Sequence, residues 1–458
     1  MVVPADTTVT KAIATAARVV RFDALPPDVV FLAKQCLLDW LGVTIAGAGE
    51  PLAAMLREQA AFEGGNPQAT LIGDGARVSV AQATLVNGAT SHALDFDDVH
   101  LGMSGHPSVP VIPGLLALAE HRGAGGPAFI AAFVAGFEVE CRAGALVMPG
   151  HYTRGFHATG TLGTFGSAAA CAHLMGLDEV RWLHALGIAG AQAAGLKSMF
   201  GTMTKPLHAG KAAANGLLAA MLAERGYTAS TAVFETPQGF AATQTDTVDF
   251  ARALRGLGVD YAIRAVLFKY HAACYGTHET IEGVLRLKER ERLDPSQVRA
   301  IRLIVPSGNL AMCNIPVPTT ALEGKFSLRF TAALALSDGE TGEQAFTDAA
   351  VRRPDLAALR DRVTVDAAGA DAERGTVVRL DLADGRTVTE AVNLDTPETD
   401  LERQWRRLEA KFRSLAQPKL GPGGTDEVIR AVASLENADD MGHIAGLCVA
   451  RAAAGAPA

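Results

Sequence analysis

Over residues 1–265 the chain presents one apolar helical segment after another, and those segments are built on small residues. GTLGTFGSAAACAHLMG (160–176) and AGKAAANGLLAAMLA (209–223) repeat Gly, Ala and Ser at helical spacing. Small residues on a helix face let a neighbouring axis approach closely, so these segments are expected to pack tightly on one another. LLDWLGVTIAG (37–47) is apolar nearly all round and belongs in the middle of such a packing. The pattern predicts helices over 7–21, 27–47, 51–63, 78–98, 108–121, 127–148, 160–175, 179–198, 207–225 and 247–255, with a short extended piece at 70–73. Pro26 and Pro27 with Asp28 mark the start of the second.

The texture changes after Asp260. VRAIRLIVP (298–306), RVTVDA (362–367) and TVVRLDLADGRTVTEAVNL (376–394) carry β-branched residues in partial alternation. In the last, Asp384-Gly385 separates two alternating runs and signals a hairpin. With helices expected at 277–292, 326–336 and 342–349, residues 266–396 read as a smaller α+β domain with an antiparallel sheet. Helical pattern returns from Asp400 and is expected to pack back on the first domain. The fold class is therefore mainly α, with a large all-α domain of residues 1–265 and 397–458 built from both chain ends.

Composition narrows the partners. A net charge of −8 with no basic run argues against nucleic acid and against an anionic membrane surface. No stretch is an uninterrupted span of ~20 apolar residues, so no transmembrane helix is expected, and residues 1–20 lack the basic and then apolar pattern expected of a signal peptide. Six scattered cysteines without a CxxC pair favour a reducing cytoplasm over a disulfide framework or structural zinc.

Against this apolar background the titratable residues cluster. NGATSHALDFDDVHLGMSGHP (87–107) holds His92, Asp95, Asp97, Asp98, His100 and His106. His92 and Asp95 are three apart and would share a helix face, with the Gly- and Pro-containing segment after them turning His106 back. Acid and base groups beside such a loop suit proton transfer. PGHYTRGFHATGT (149–161) brings His151, Tyr152, Arg154 and His157 to a helix start, an arrangement suited to carboxylates. GTMTKPLHAGKAAANG (201–216) puts Lys205 just before Pro206, at the positive end of a helix, with His208 and Lys211 three apart. FKYHAACYGTHETIEG (268–283) supplies Lys269, His271, Cys274 and His278. There Cys274 reads equally as a nucleophile or as a structural thiol. DFDDVH offers carboxylates and a histidine to a metal, but HExxH, EF-hand and facial-triad spacings are missing, so no metal is expected. Dinucleotide, Walker and GxSxG motifs are missing too.

SHALDFDDVH…HPSVPVIPGLLALAE, GFHATGTLGTFGSAAACAHLMGL, TKPLHAGKAAANG and KYHAACYGTH, in this order, resemble the MmgE/PrpD family, whose members include 2-methylcitrate dehydratase, cis-aconitate decarboxylase and iminodisuccinate epimerase. The resemblance implies a helical domain with a smaller α+β lid, a homodimer, and cofactor-independent chemistry on a small di- or tricarboxylate. It implies Asp95, His106, His157 and Lys205 as catalytic positions, with Tyr152 a further proton carrier. Arg154, His208, Lys269, Cys274 and His278 would bind substrate. Asp95 would orient a histidine, and Asp97 and Asp98 fall to loop architecture. Cys274 stands where cis-aconitate decarboxylase carries a histidine, and Phe330 where it carries a lid tyrosine. The activity so implied is a lyase reaction of the 2-methylcitrate dehydratase type, by proton abstraction next to a carboxylate. Epimerisation of an amino- or imino-dicarboxylate and cis-aconitate-type decarboxylation are the alternatives.

Overall fold

A computed structural model describes residues 8–369 and 375–449. From the N-terminus come α1 (Val9–Arg18), α2 (Pro27–Gly47), α3 (Pro51–Glu63), a two-stranded ladder of β1 (Ala69–Thr70) and β2 (Arg77–Val78), and α4 (Val80–Ser91). Then follow α5 (Ser108–Arg122), α6 (Gly126–Val147), α7 (Gly150–Thr153), α8 (Ala158–Leu174), α9 (Glu179–Gly190), α10 (Thr204–Glu224), α11 (Phe240–Gln244) and α12 (Phe250–Leu254). The next section holds α13 (His278–Glu291), β3 (Val298–Val305), α14 (Ser307–Met312), α15 (Ala321–Lys325), α16 (Leu328–Ser337), α17 (Asp348–Val351) and α18 (Pro354–Arg360). It ends with β4 (Val363–Ala367), β5 (Thr376–Leu382) and β6 (Thr387–Val392), after which α19 (Leu401–Ala433) and α20 (Met441–Leu447) close the chain. Two compact units result: one runs to Phe268 and resumes at Glu398, the other spans Lys269–Pro397.

In the first unit the helix ends follow local chemistry. Pro27 starts α2, where a missing N–H costs nothing. Ser79 and Gln82 form a capping box at the start of α4, and Gly123 in the left-handed region ends α5. Around α8, buried along nearly all its length, pack α6, α5 and α10. One close approach is between α4 and α10. A Cβ on Gly88 would lie 2.7 Å from the Gly210 Cα, and one on Gly210 would lie 2.4 Å from the Leu85 carbonyl oxygen. These two backbones touch because neither residue has a side chain. α2 is long and apolar enough to cross a membrane by length and composition, but 83% of its apolar window is buried within the protein. α19 lies along it, with the Gln404 amide donating to Gln35 at 2.8 Å and Gln35 donating to the Leu401 carbonyl at 2.9 Å.

The second unit carries a four-stranded sheet in the order β4-β3-β5-β6. β3 pairs antiparallel with β5, and β5 with β6 through the Asp384-Gly385 turn, where Gly385 takes φ +90°. β4 instead pairs parallel with β3, so the sheet is mixed and not purely antiparallel. The chain between these two strands passes through α14 to α18, a connection long enough for a parallel return. α13 packs on β5 and β6, and a Cβ on Gly283 would lie 2.6 Å from a Val378 methyl.

Other departures are local. The helix expected over 78–98 stops at Ser91, and the one expected over 179–198 stops at Gly190. Beyond Ser91 the polar residues turn into a loop that serves buried hydrogen bonds, and beyond Gly190 the Gly195 carbonyl accepts from the His157 N–H at 3.0 Å. The two helical patterns after residue 400 form one element interrupted at Gly421, which has φ +69° and stands between Pro418 and Pro422. The expected helix start at residue 7 and the Ala-rich end lie outside the described residues.

Because the α4–α10 contact has no room for a methyl group, Gly210→Ala is expected to lower unfolding free energy by about 1–3 kcal/mol, as overpacking does. A lowered urea midpoint at unchanged m-value checks this. An unchanged midpoint would mean that the two helices can move apart freely.

Candidate active site

The Gly88–Gly210 crossing sets the site. α4 ends at Ser91 with His92 as its cap, and the second residue of α10 is Lys205, so the two approach each other at one end of the crossing. His92 caps α4, and the chain then turns through 93–107 with Asp95 and Ser104 in the left-handed region, at φ +51° and +52°. For non-Gly residues that conformation costs roughly 1–3 kcal/mol each and persists where surrounding contacts over-determine it. His92 and Asp95 therefore do not share a helix face. The turn instead drives Asp97 and Asp98 into the interior.

Asp97 is the hub. Its Oδ1 lies 2.9 Å from His92 Nδ1, and its Oδ2 lies 2.9 Å from His106 Nδ1. His106 Nδ1 is also 2.9 Å from the Asp98 carbonyl oxygen. Carboxylate and carbonyl oxygens accept only, so His106 Nδ1 carries a proton in either charge state and Nε2 is left for chemistry. Burial favours a neutral Asp97, but His106 and His92 outweigh it and hold this carboxyl well below the ordinary range. Burial lowers the His92 imidazole to about 4 against the pull of Asp97, so His92 is neutral and donates through Nδ1. Its Nε2 is buried without a hydrogen-bond partner.

On the more open side, His106 Nε2 is 3.5 Å from Asp95 Oδ1, and Lys205 Nζ is 2.9 Å from the same oxygen. The side chains of His106 and Lys205 are 13% and 14% exposed and that of Asp95 is 35%, while Asp97 is at 1%. The reactive tips thus face outward over a buried anion. The His92 ring stacks on His157 at 5.9 Å and meets His106 edge-on at 4.7 Å. His157 Nδ1 is 3.0 Å from His208 Nδ1, so one of these two nitrogens carries the proton between them. Burial, then the positive neighbours, push the His157 imidazole far down, and burial with Lys205 lowers His208, so the pair is neutral. Phe200 closes over His157 at 5.0 Å, with Lys205 Nζ 5.2 Å from the same ring. Thr159 at the start of α8 accepts from the His106 backbone N–H at 3.1 Å.

Of the residues singled out from the sequence, Asp95, His106, Lys205, His157 and His208 come together here. Arg154 does not join them. It pairs at the surface with Asp246, so the carboxylate-binding role expected at the start of α8 has lost its cation. Tyr152 lies under Lys197, whose Nζ sits 3.6 Å from the ring centroid and 3.2 Å from the Tyr152 carbonyl oxygen. Lys269, Cys274 and His278 belong to the second unit. There His278 Nε2 donates to the Ala273 carbonyl at 3.2 Å, and Cys274 Sγ contacts Met312 Sδ at 3.3 Å. Burial first, then His271 and Lys269, depress the His278 imidazole strongly.

His92 and Asp97 are the members that sequence reasoning missed. Asp97 was assigned to loop architecture, but it orients both histidines. The signal was the pair of adjacent carboxylates in an apolar stretch, which only a buried donor set can accommodate. Asp98 does fit the architectural role: it accepts from Ser108 Oγ at 2.5 Å and Ser108 N at 3.2 Å, and burial with Asp39 nearby raises it to about 8. His92, Asp95, Asp97 and His106 each offer a ligand atom within 4.8 Å of the others, a donor set that a cation could use. Lys205 already places a positive charge on Asp95, and a second cation there would meet Coulomb repulsion.

The chemistry open to this arrangement is acid–base. Asp97 fixes the His106 tautomer, leaving Nε2 to take or give a proton. Lys205, freed from Asp95 by an incoming carboxylate, can hold that anion. Asp97→Asn removes the negative charge and leaves one acceptor oxygen for two imidazole N–H groups, and it is expected to lower kcat on the order of 10²–10⁴-fold with the fold retained by circular dichroism. A smaller effect would deny Asp97 this role.

His100 provides a separate pH marker in the same turn. Its Nε2 donates to the Ala262 carbonyl at 3.2 Å, and burial lowers it to about 4. The unfolded chain takes up this proton near pH 6.5 and the folded chain only near 4, so the group's contribution to stability falls as pH drops across that window. Relative to wild type, His100→Gln should lose up to one proton of that pH dependence between pH 6.5 and 4 in urea unfolding. Parallel curves would contradict it.

Comparison with known proteins bears on the same residues. The chain matches the MmgE/PrpD N-terminal domain over residues 11–253 and the MmgE/PrpD C-terminal domain over residues 271–437. It is 28% identical to the human protein named cis-aconitate decarboxylase, covering 94% of this chain and 92% of that protein. It is likewise 28% identical to a cis-aconitate decarboxylase-like protein of Aspergillus oryzae, over 92% of this chain and 93% of that one. A third relative, cis-aconitate decarboxylase of Aspergillus terreus, is 28% identical over 92% and 91%. With both family domains matched in order over most of its length, the chain belongs to the MmgE/PrpD family.

Proposed function

We propose that this protein is a cofactor-independent lyase acting on a small di- or tricarboxylate by proton transfer at the carbon next to a carboxylate. The observation that carries the reading is the Asp97–His106 pair: a buried anion holds an imidazole with its second nitrogen turned towards Lys205 and Asp95. Family membership and the lyase names of the relatives support it. Lys205 would bind a substrate carboxylate in place of Asp95 and stabilise the charge that develops as the proton leaves. His106 Nε2 would take the proton from carbon while Asp97 stabilises the imidazolium. In dehydration His106 would return that proton to the departing hydroxyl, which leaves as water with an alkene behind. No metal enters this reading, and six scattered cysteines without a CxxC pair fit a reducing compartment.

A second reading, decarboxylation, is favoured by the names of the relatives. There CO2 departs first, and the carbanion it leaves takes a proton from protonated His106.

Incubation with hydroxy- and unsaturated tricarboxylates in D₂O tests both. Dehydration predicts growth of enoate absorbance without CO2, and decarboxylation predicts CO2 with one deuterium gained at carbon. In either case activity should survive a chelator and fall about 10²–10⁴-fold in His106→Ala. Exchange of an α-proton without alkene or CO2 would replace both readings with epimerisation. Silence across the panel would remove the carboxylate assignment.

A further inference from the structure

Behind the turn that carries the site lies a second buried polar group that the proposed chemistry does not use. Lys411, from α19, places Nζ 2.6 Å from Asp39 Oδ1 of α2 and 2.6 Å from the carbonyl oxygen of Phe96. The same ammonium sits 4.0 Å above the Phe96 ring. The lysine and aspartate side chains are 4% and 1% exposed, and Asp39 Oδ2 has no hydrogen-bond partner. A buried ion pair of this kind is expensive to desolvate, and apolar packing would serve stability equally well or better. Its retention in an apolar helix seam therefore calls for another role.

Phe96 stands between Asp95 and Asp97, and its carbonyl belongs to the peptide plane that leads into Asp97. Asp95, one residue earlier, is held at φ +51°. A donor clamped on the Phe96 carbonyl from the interior fixes that plane, and with it the direction in which both aspartates leave the backbone. Three further acids face the same region. Beside Asp39 of α2 these are Asp97 and Asp98 from the turn and Glu140 of α6, which has both oxygens unpartnered and is raised by burial and by Asp98. Cys36 of α2 and Ser108 of α5 complete the surroundings of Asp98.

We propose that Lys411 is a positioning residue of the active site, acting through the Phe96 carbonyl to hold the turn that presents Asp95 to Lys205 and Asp97 to His92 and His106. Asp39 balances the buried charge of Lys411. The C-terminal segment thereby reaches the site from behind without touching substrate. The proposal rests on the active-site reading above but not on the identity of the substrate.

A pair of variants separates positioning from simple ion-pair stability. Lys411→Met alone strands the Asp39 carboxylate and can fail to fold, so the decisive protein is Asp39→Asn/Lys411→Met, in which neither member of the pair is charged. With Tm near wild type, it is expected to lose kcat on the order of 10²-fold, as a small misplacement of reacting groups does, with KM changed far less. Asp39→Asn, which leaves Lys411 on the Phe96 carbonyl, should keep kcat within a few-fold. The substrate-independent readout is the downfield imidazole N–H signals of His92 and His106 bound to Asp97, which should shift or broaden in the double variant. A folded double variant with wild-type kcat and unchanged imidazole signals overturns the proposal. If no carboxylate is turned over by the wild type, the functional reading fails, while the imidazole signals still decide the role of Lys411.

Discussion

A buried carboxylate that must be neutralised by two imidazole N–H groups is the constraint from which the rest of the site follows. Asp97 is shielded from bulk solvent, so its charge is held by the N–H groups that His92 and His106 donate to it. That demand fixes the tautomer of each ring, stacks His92 against His157, and turns the remaining nitrogen of His106 towards Lys205. Acid–base competence is a by-product of satisfying a buried anion.

Two pieces of packing deliver these groups to one place. Gly88 and Gly210 allow α4 and α10 to meet backbone to backbone, which brings the end of one helix and the start of the other within side-chain reach. α19, packed along α2, supplies Lys411 to the rear of the same turn. The site is thus held from three directions by elements far apart in sequence, and the left-handed Asp95 is tolerated because so many contacts determine it.

Helical periodicity, proline and capping residues made most helices of the first unit legible, since these signals act over a few neighbouring residues. The Asp384-Gly385 hairpin was legible for the same reason. Helix ends at Ser91 and Gly190 were not, because local propensity favoured continuing and buried hydrogen bonds elsewhere overruled it. The parallel pairing of β4 was hidden too, as strand direction depends on the path of the intervening helices. Among site residues, Asp95, His106, His157, Lys205 and His208 stood out as polar groups in apolar surroundings. Arg154 stood out equally and yet turns to Asp246 at the surface, which no spacing rule anticipates.

The sequence by itself determined the kind of protein: a helix-rich, acidic chain whose motifs mark the MmgE/PrpD family and whose histidines, carboxylates and lysines fall in a few clusters. Tertiary structure alone decided which carboxylate governs the histidines. Asp95, Asp97 and Asp98 are close to interchangeable as letters, but one pairs with Lys205, one with two imidazoles and one with Ser108. The difference is burial and the identity of the facing donor, and both arise only when helices from opposite ends of the chain close around the turn.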